Sequence, residues 1–260
     1  MEPVLYELRD NVATIHLNKP DVFNSIADDI ADAARNAIAR ARDEARAVVF
    51  TGSGRAFCAG ADLKSLEASY AGGGAPELGA LIDRAFNPLL EELAALPMPV
   101  IAAVNGPAAG AGVGLALACD LRIASTAANF TMAFINIGLV PDTGTAWLLP
   151  AIVGYGRAVE LSMSGRRVAA DEALAIGLVH RLAEPDALAD EAHAWAAKLA
   201  AGPTYAYGRT KVLLRRAVET DLATAVADER DEQDRAGRTA DHLEGVAAFL
   251  AKRPPVYLGR

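Results

Sequence analysis

Residues 105–114 read NGPAAGAGVG, a run of small side chains between two regular segments. The apolar run at 99–104 predicts a buried strand, and residues 115–118 are a favourable helix start. A strand therefore passes into a helix through a loop whose backbone N–H groups lie bare at the helix N-terminus, where the helix dipole favours negative charge. Bare N–H groups in that place can hold an oxyanion. The loop contains no acid, base or nucleophile, so any proton chemistry must come from elsewhere in the chain.

A second segment, GSGRAFCAGADLK at 52–64, has the same character. It follows a short strand predicted at 47–51, and a helical pattern begins near Asp62. Two bare strand-to-helix junctions can supply two N–H donors to one oxygen. Alone, the small residues at 110–114 could simply allow a helix to pack closely on a strand. Their G-x-G-x-G spacing differs from the G-x-G-x-x-G of dinucleotide-binding loops, which argues against a nicotinamide or flavin site.

With both segments considered, the chain resembles the enoyl-CoA hydratase/isomerase family, also called the crotonase family. The resemblance runs nearly from end to end and depends on several motifs in the same order. They are AFCAGADL at 56–63, VNG at 104–106 through ACD at 118–120, IGLVP at 137–141, GRRVAA at 165–170 and FLAKR at 249–253.

The composition narrows the class of protein. The 260 residues are 52% hydrophobic and 22% charged, which is typical of a globular chain with a large core. The net charge of −8 argues against nucleic-acid binding, and no apolar run is long enough to predict a membrane span. The start, Met1-Glu2-Pro3, does not resemble a signal peptide. Cys58 and Cys119 form no C-x-x-C, which favours a reducing, cytoplasmic compartment, and the four histidines lack metal-ligand spacing, so no metal site is expected.

Strands and helices alternate along the first 200 residues, and only helices follow. This order predicts an α/β core at 1–200 and a helical C-terminal subdomain at 201–260. The resemblance implies that the core is a spiral of ββα turns and that the C-terminal helices pack between subunits of a homotrimer or a dimer of trimers. The principal predicted elements are strands at 47–51, 100–104, 121–124 and 129–131, helices at 26–43, 63–70, 80–96 and 143–149, and a mobile Gly-rich loop at 65–79.

The resemblance places the two oxyanion donors at the backbone N–H groups of Ala61 and Ala111. Family members that hydrate enoyl-CoA carry two glutamates, at the positions of Gly114 and Phe134 in this chain. Adding water across a double bond needs a group that activates water and moves protons, which glycine and phenylalanine cannot do. The usual hydratase chemistry is therefore not expected.

Asp142 is the remaining candidate acid, in the segment GLVPDTGTAW at 138–147. One interpretation is structural, because an aspartate before a helix start is a common N-cap. The resemblance gives another: isomerases of the Pro-Asp-x-Gly branch, including ring-opening enzymes of the phenylacetate pathway, use this aspartate as their acid/base. Halobenzoyl-CoA dehalogenases place a nucleophilic aspartate there but carry a tryptophan where this chain has Phe134. We predict that Asp142 is catalytic and that burial by Phe134 and Ile137 raises its pKa.

The resemblance also implies a coenzyme A site, with CoA bound only as part of the substrate thioester and no permanently bound cofactor. Lys64 is the preferred contact for phosphate and adenine, although surface lysines are more often simply solvated. Lys19 and Phe23 would flank the pantetheine, and Phe249 and Lys252 would reach the nucleotide of a neighbouring subunit. The predicted CoA-binding residues are Lys19, Val22, Phe23, Ala59, Asp62, Leu63, Lys64, Ala109, Phe134, Phe249 and Lys252.

These observations predict an acyl-CoA enzyme that forms and quenches a thioester enolate. The favoured reaction moves a C=C bond of an enoyl-CoA from the 3- to the 2-position, or isomerises a ring, because neither reaction adds water and one carboxylate suffices. One alternative is a hydratase with non-standard catalytic groups. Another is a non-catalytic acyl-CoA-binding protein that kept the pocket.

Overall fold

The computed structural model describes residues 2–63, 67 and 77–260. Lys64, most of the predicted helix at 63–70 and most of the predicted loop at 65–79 lie outside these residues, so those expectations stay predictions.

The larger sheet contains six strands, of which four are buried in its interior. The strands are β1 (Val4–Arg9), β2 (Val12–Leu17), β3 (Ala47–Gly52), β4 (Val100–Val104), β6 (Leu121–Ser125) and β9 (Arg181–Ala183), side by side in that order. β1 and β2 form an antiparallel hairpin, and its turn residues, Asp10 and Asn11, have positive φ. The other neighbours pair in parallel. β3 and β4 are buried along their whole length, which explains their unbroken apolar sequences.

The smaller sheet has three short strands, β5 (Ala108–Ala109), β7 (Asn129–Thr131) and β8 (Arg167–Ala169), in the order β5-β7-β8. Of these, only β7 was predicted. β5 lies inside the Gly-rich loop, pairs with β7 and also bridges to Cys58. A two-residue strand is too short to show an alternating sequence pattern, and its pairing partners are distant in the chain, so the sequence did not predict it.

The helices cover both faces of the larger sheet and form the C-terminal part. They are α1 (Asp28–Glu44), α2 (Leu78–Leu81), α3 (Asn87–Ala94), α4 (Ala111–Ala118), α5 (Thr145–Val153), α6 (Tyr155–Ser164), α7 (Ala170–Ala175), α8 (Leu188–Ala200), α9 (Thr204–Ala217), α10 (Leu222–Ala236) and α11 (Ala240–Leu250). The predicted single helix at 80–96 is instead interrupted by a π-helical turn, Ile82–Phe86, between α2 and α3. Single 3-10 turns occupy Pro20–Val22 and Ala133–Ile137.

The core has two layers, one on each face of the larger sheet. α1, α3 and α4 cover one face, and α4 is buried on every side, as its sequence AGVGLALA requires. α8 covers the other face with Ala192, Ala196 and Ala200. The alternating α/β part therefore ends with α8, which completes the second layer of the core.

The C-terminal helices α9–α11 attach to this core through charged groups. Lys211 Nζ lies 2.7 Å from Asp120 Oδ2 and donates to the carbonyls of Leu96 and Met98, while Arg215 also pairs with Asp120. Asp120 of the ACD motif thus has a structural role, because it joins α9 to the core. Among the described residues, no helix is both long and apolar enough to cross a membrane.

Candidate active site

The two strand-to-helix junctions lie against each other in the fold. A β-carbon built on Gly60 would lie 2.8 Å from the Ala109 carbonyl oxygen and 3.3 Å from the Ala111 nitrogen. Gly60 has φ +88°, where a side chain is strained. Glycine at this position therefore brings the segment of Ala61 next to the start of α4.

Both predicted donors lack a partner in the described part of the chain. The Ile26 N–H donates to the Gly60 carbonyl, and the Asp62 N–H donates to the Ile26 carbonyl. Backbone groups alternate in direction along an extended segment, so the Ala61 N–H points to the opposite side. Ala111 is the first residue of α4, whose N-cap, Gly110, offers no side chain, and a first-turn N–H has no acceptor within its own helix.

Asp142 lies half-buried in the turn before α5. Its Oδ1 accepts a hydrogen bond from Thr143 Oγ1 at 2.8 Å. Burial raises the pKa of Asp142, and the Thr143 hydrogen bond opposes that shift. The N-cap of α5 is Gly144, without a side-chain capping bond, so the Asp142 carboxylate is not a helix cap. A half-buried carboxylate of raised pKa is a stronger base than a free aspartate, which suits it to take up and return a proton.

Position 114, on the first turn of α4, has no room for a side chain. A β-carbon on Gly114 would lie 2.3 Å from the Thr143 carbonyl oxygen and 3.0 Å from Thr145 Oγ1. The turn that carries Asp142 thus packs directly on α4, one helical turn from Ala111. It occupies the space into which a side chain at 114 would extend.

Phe134 lies over the other side of the same helix start. It is buried within the 3-10 turn, and its ring would be 3.7 Å from a β-carbon on Gly110. Ile137 was predicted to bury Asp142, but 56% of its surface is exposed, so this prediction is not supported.

The predicted pantetheine residues form a second cluster beside the junctions. The Ala59 N–H donates to the Phe23 carbonyl at 3.0 Å, and Val22 ends the 3-10 turn just before Phe23. Lys19 Nζ forms an ion pair with Asp29. The Arg55 guanidinium lies 4.4 Å from the centre of the Phe23 ring. Sequence reasoning missed Arg55, although it adjoins the AFCAGADL motif.

The remaining predicted contacts are more widely spread. Ala109 lies in β5, where its N–H donates to the Cys58 carbonyl. Leu63 is exposed, and Lys64 lies outside the described residues. Phe249 and Lys252 lie at the end of α11, and Phe249 is 82% exposed. Among the described residues of this single chain, no contact joins either of them to the two junctions.

Neither the thiols nor a group of metal-ligating side chains gives a second candidate centre in the described residues. Burial raises the pKa of both thiols, Cys58 and Cys119, to about 12, so they stay protonated and are poor nucleophiles. No cluster of three or more histidine, cysteine or acidic side chains suited to a metal ion is found over 2–63, 67 and 77–260.

Comparison with known proteins finds relatives that match over nearly the whole chain. A family model described as enoyl-CoA hydratase/isomerase matches residues 7–260. The 1,2-epoxyphenylacetyl-CoA isomerase of Escherichia coli (strain K12) is 42% identical over 262 residues, which cover 100% of both chains. The crotonyl-CoA hydratase of Syntrophomonas wolfei is 32% identical and covers 100% of this chain and 99% of that protein.

Solved structures show the same fold. The enoyl-CoA hydratase from Bacillus anthracis superposes with a TM-score of 0.92 at 33% identity, over 99% of this chain and 100% of that one. An enoyl-CoA hydratase from Polaromonas sp. JS666 gives 0.91 at 36% identity, over 98% and 99%. The predicted crotonase-like α/β fold is therefore confirmed.

Proposed function

The chain belongs to the enoyl-CoA hydratase/isomerase family of acyl-CoA enzymes, and from that premise we propose that it is an isomerase with Asp142 as its acid/base. In this reaction Asp142 removes a proton from C2 of a 3-enoyl-CoA. The electrons move through the thioester to give an enolate, and the same carboxyl group returns the proton at C4. The double bond ends at C2, and no water is consumed.

The enolate oxygen would bind between the N–H groups of Ala61 and Ala111. Both amides are without an acceptor among the described residues, and the Gly60 contact holds their segments together. Each such hydrogen bond to a developing oxyanion lowers the barrier by about 3 kcal/mol. The same pair of donors would serve any enolate of a CoA thioester, including that of a ring substrate.

The observation that carries the isomerase assignment is the contact between Gly114 and Thr143. The Thr143 carbonyl occupies the space of a side chain at 114, so the first glutamate of the family's hydratases has no room while this turn is in place. Phe134 replaces the second glutamate. Asp142 is then the carboxylate that this arrangement brings to α4, and a reaction with a single proton carrier fits it.

The 42% identical isomerase from Escherichia coli supports testing a ring substrate beside a linear one. Purified protein is assayed with a 3-enoyl-CoA, with 1,2-epoxyphenylacetyl-CoA and with crotonyl-CoA. Isomerisation of one of the first two with poor hydration of crotonyl-CoA is expected. Efficient crotonyl-CoA hydration would make the chain a hydratase with other catalytic groups, and binding without turnover of any substrate would make it an acyl-CoA-binding protein.

Asp142→Asn tests the assigned residue. The amide keeps the shape but cannot accept the proton, so kcat should fall about a hundredfold or more while acyl-CoA affinity stays nearly unchanged. Asp43→Asn, an exposed position on α1, is the matched control and should behave as wild type. Full isomerase activity in Asp142→Asn would mean that the acid/base lies elsewhere.

We also propose that the protein assembles as a homotrimer or a dimer of trimers, with the CoA site completed by the residues predicted above. The support is a series of large apolar side chains that are exposed on α9–α11 and on the segments joining these helices. Exposed apolar side chains that cluster on a folded chain mark interaction surfaces. The exposed residues are Leu214, Val218, Leu222, Val226, Leu243, Val246, Phe249 and Leu250.

A further inference from the structure

The turn that carries Asp142 has an unusual backbone. Thr143 has φ +48°, and Gly144 follows with φ +69°. A β-branched residue rarely adopts a left-handed conformation unless its surroundings hold it there. Thr143 is also 2% exposed, so a strained residue is buried directly beside the proposed acid/base.

Three contacts hold this turn. The Thr145 N–H donates to the Asp142 carbonyl at 2.9 Å and closes it. The Thr143 carbonyl lies against Gly114 of α4, and a β-carbon on Gly144 would be 2.8 Å from Leu90 of α3. The fold therefore imposes the left-handed turn from both sides, and the position of Thr143 is set by packing with α4 and α3.

The consequence of this conformation is the direction of the Thr143 hydroxyl, which donates to Asp142 Oδ1 at 2.8 Å. We propose that Thr143 is a positioning residue of the isomerase reaction: its hydroxyl fixes the Asp142 carboxylate in one orientation and leaves Oδ2 as the proton carrier. This proposal depends on the proposed function, in which Asp142 is the acid/base. A hydrogen bond to the ionised carboxylate also favours the base form over the protonated form.

No ion pair among the described residues competes with this hydrogen bond. The helices in contact with the turn are α4, α5 and α3. The first two contain no titratable side chain. On α3, Glu91 is exposed and Glu92 pairs with Arg35. Burial and the Thr143 hydroxyl are thus the two influences on the pKa of Asp142.

The test compares Thr143→Val, Thr143→Ser and Thr145→Val in the full-length enzyme. Thr143→Val removes the hydroxyl at nearly constant shape, and Thr143→Ser restores it. Thr145→Val is the matched control, because Thr145 is buried in the same turn and its hydroxyl has no hydrogen-bond partner among the described residues. The pH dependence of kcat/KM is measured for each variant, together with kcat, KM and the thermal unfolding midpoint.

Thr143→Val should shift the acidic limb of the pH profile upward by about one pH unit and lower kcat about tenfold with little change in KM. Thr143→Ser and Thr145→Val should keep the wild-type profile. If Thr143→Val fails to fold, Thr143→Ala removes the hydroxyl without adding bulk and is judged by the same shift.

A change in unfolding midpoint with an unmoved acidic limb and unchanged kcat would overturn the proposal and leave Thr143 a purely structural residue. The same result for Thr145→Val as for Thr143→Val would also overturn it. Asp142→Asn in the same assays distinguishes failure of the proposed function from failure of the proposed role of Thr143. If it remains active, the proposed function fails; if it is inactive while Thr143→Val is normal, only the role of Thr143 fails.

Discussion

Gly114→Ala is expected to damage the enzyme although it adds a single methyl group at a helical position. The new β-carbon would lie 2.3 Å from the Thr143 carbonyl oxygen, and an ordinary contact begins at about 3.4 Å. The carbonyl must therefore move by about 1 Å, or α4 must move away. Overpacking of this kind typically costs about 1–3 kcal/mol of stability. A displacement of about 1 Å at a catalytic group lowers the rate by about a hundredfold.

The assay measures kcat with the isomerase substrate and the thermal unfolding midpoint of the same samples. Gly156→Ala is the matched control, since Gly156 lies in α6 and a β-carbon there would meet no atom of the described residues within 4 Å. The control should keep wild-type activity and an equal or higher midpoint, because alanine favours helix more than glycine by up to about 1 kcal/mol. Wild-type kcat and midpoint in Gly114→Ala would refute the reasoning, since the close contact would then not fix the turn.

Three further outcomes follow from the same structure. Burial raises the pKa of Asp142, so the isomerase rate should fall on acidification through a pKa above that of a free aspartate. Wild-type stability should decrease as the pH rises from the aspartate pKa of the unfolded chain to that of the folded protein. Asp142→Asn should therefore unfold at a higher temperature than wild type at neutral pH and lose this advantage below the aspartate pKa of the unfolded chain, which calorimetry across pH can check. Burial raises the pKa of Cys58 and Cys119 to about 12, so iodoacetamide at pH 8 should label neither thiol until denaturant is added; rapid labelling of the folded protein would contradict their burial. Leu222→Asp, at a side chain 80% exposed, should weaken the proposed assembly without unfolding the chain, and a wild type that light scattering shows to be a stable monomer at micromolar concentration would count against the assembly itself.

Local sequence predicted the elements whose signal lies within a few residues. The strand at 100–104 has the predicted bounds, and β3 differs from its prediction by one residue. The predicted helix at 143–149 instead begins at Thr145 and continues through Pro150 to Val153. The start moves because Thr143 and Gly144 are left-handed, a conformation that contacts with α4 and α3 impose and that no propensity of threonine predicts.

The features of the candidate site likewise divide into those that the sequence predicted and those that depend on tertiary contacts. Residue types and spacing alone predicted the two bare strand-to-helix junctions. The resemblance to a known family directed attention to Gly114, Phe134 and Asp142, and the catalytic role of Asp142 stays a prediction. Tertiary structure decided that the junctions meet at Gly60, that Asp142 is not a helix cap, and that the Thr143 hydroxyl donates a hydrogen bond to the Asp142 carboxylate. Those facts depend on contacts between segments that are far apart in the chain. Packing and burial at such contacts set the backbone conformation and the pKa of a side chain, and local sequence does not specify them.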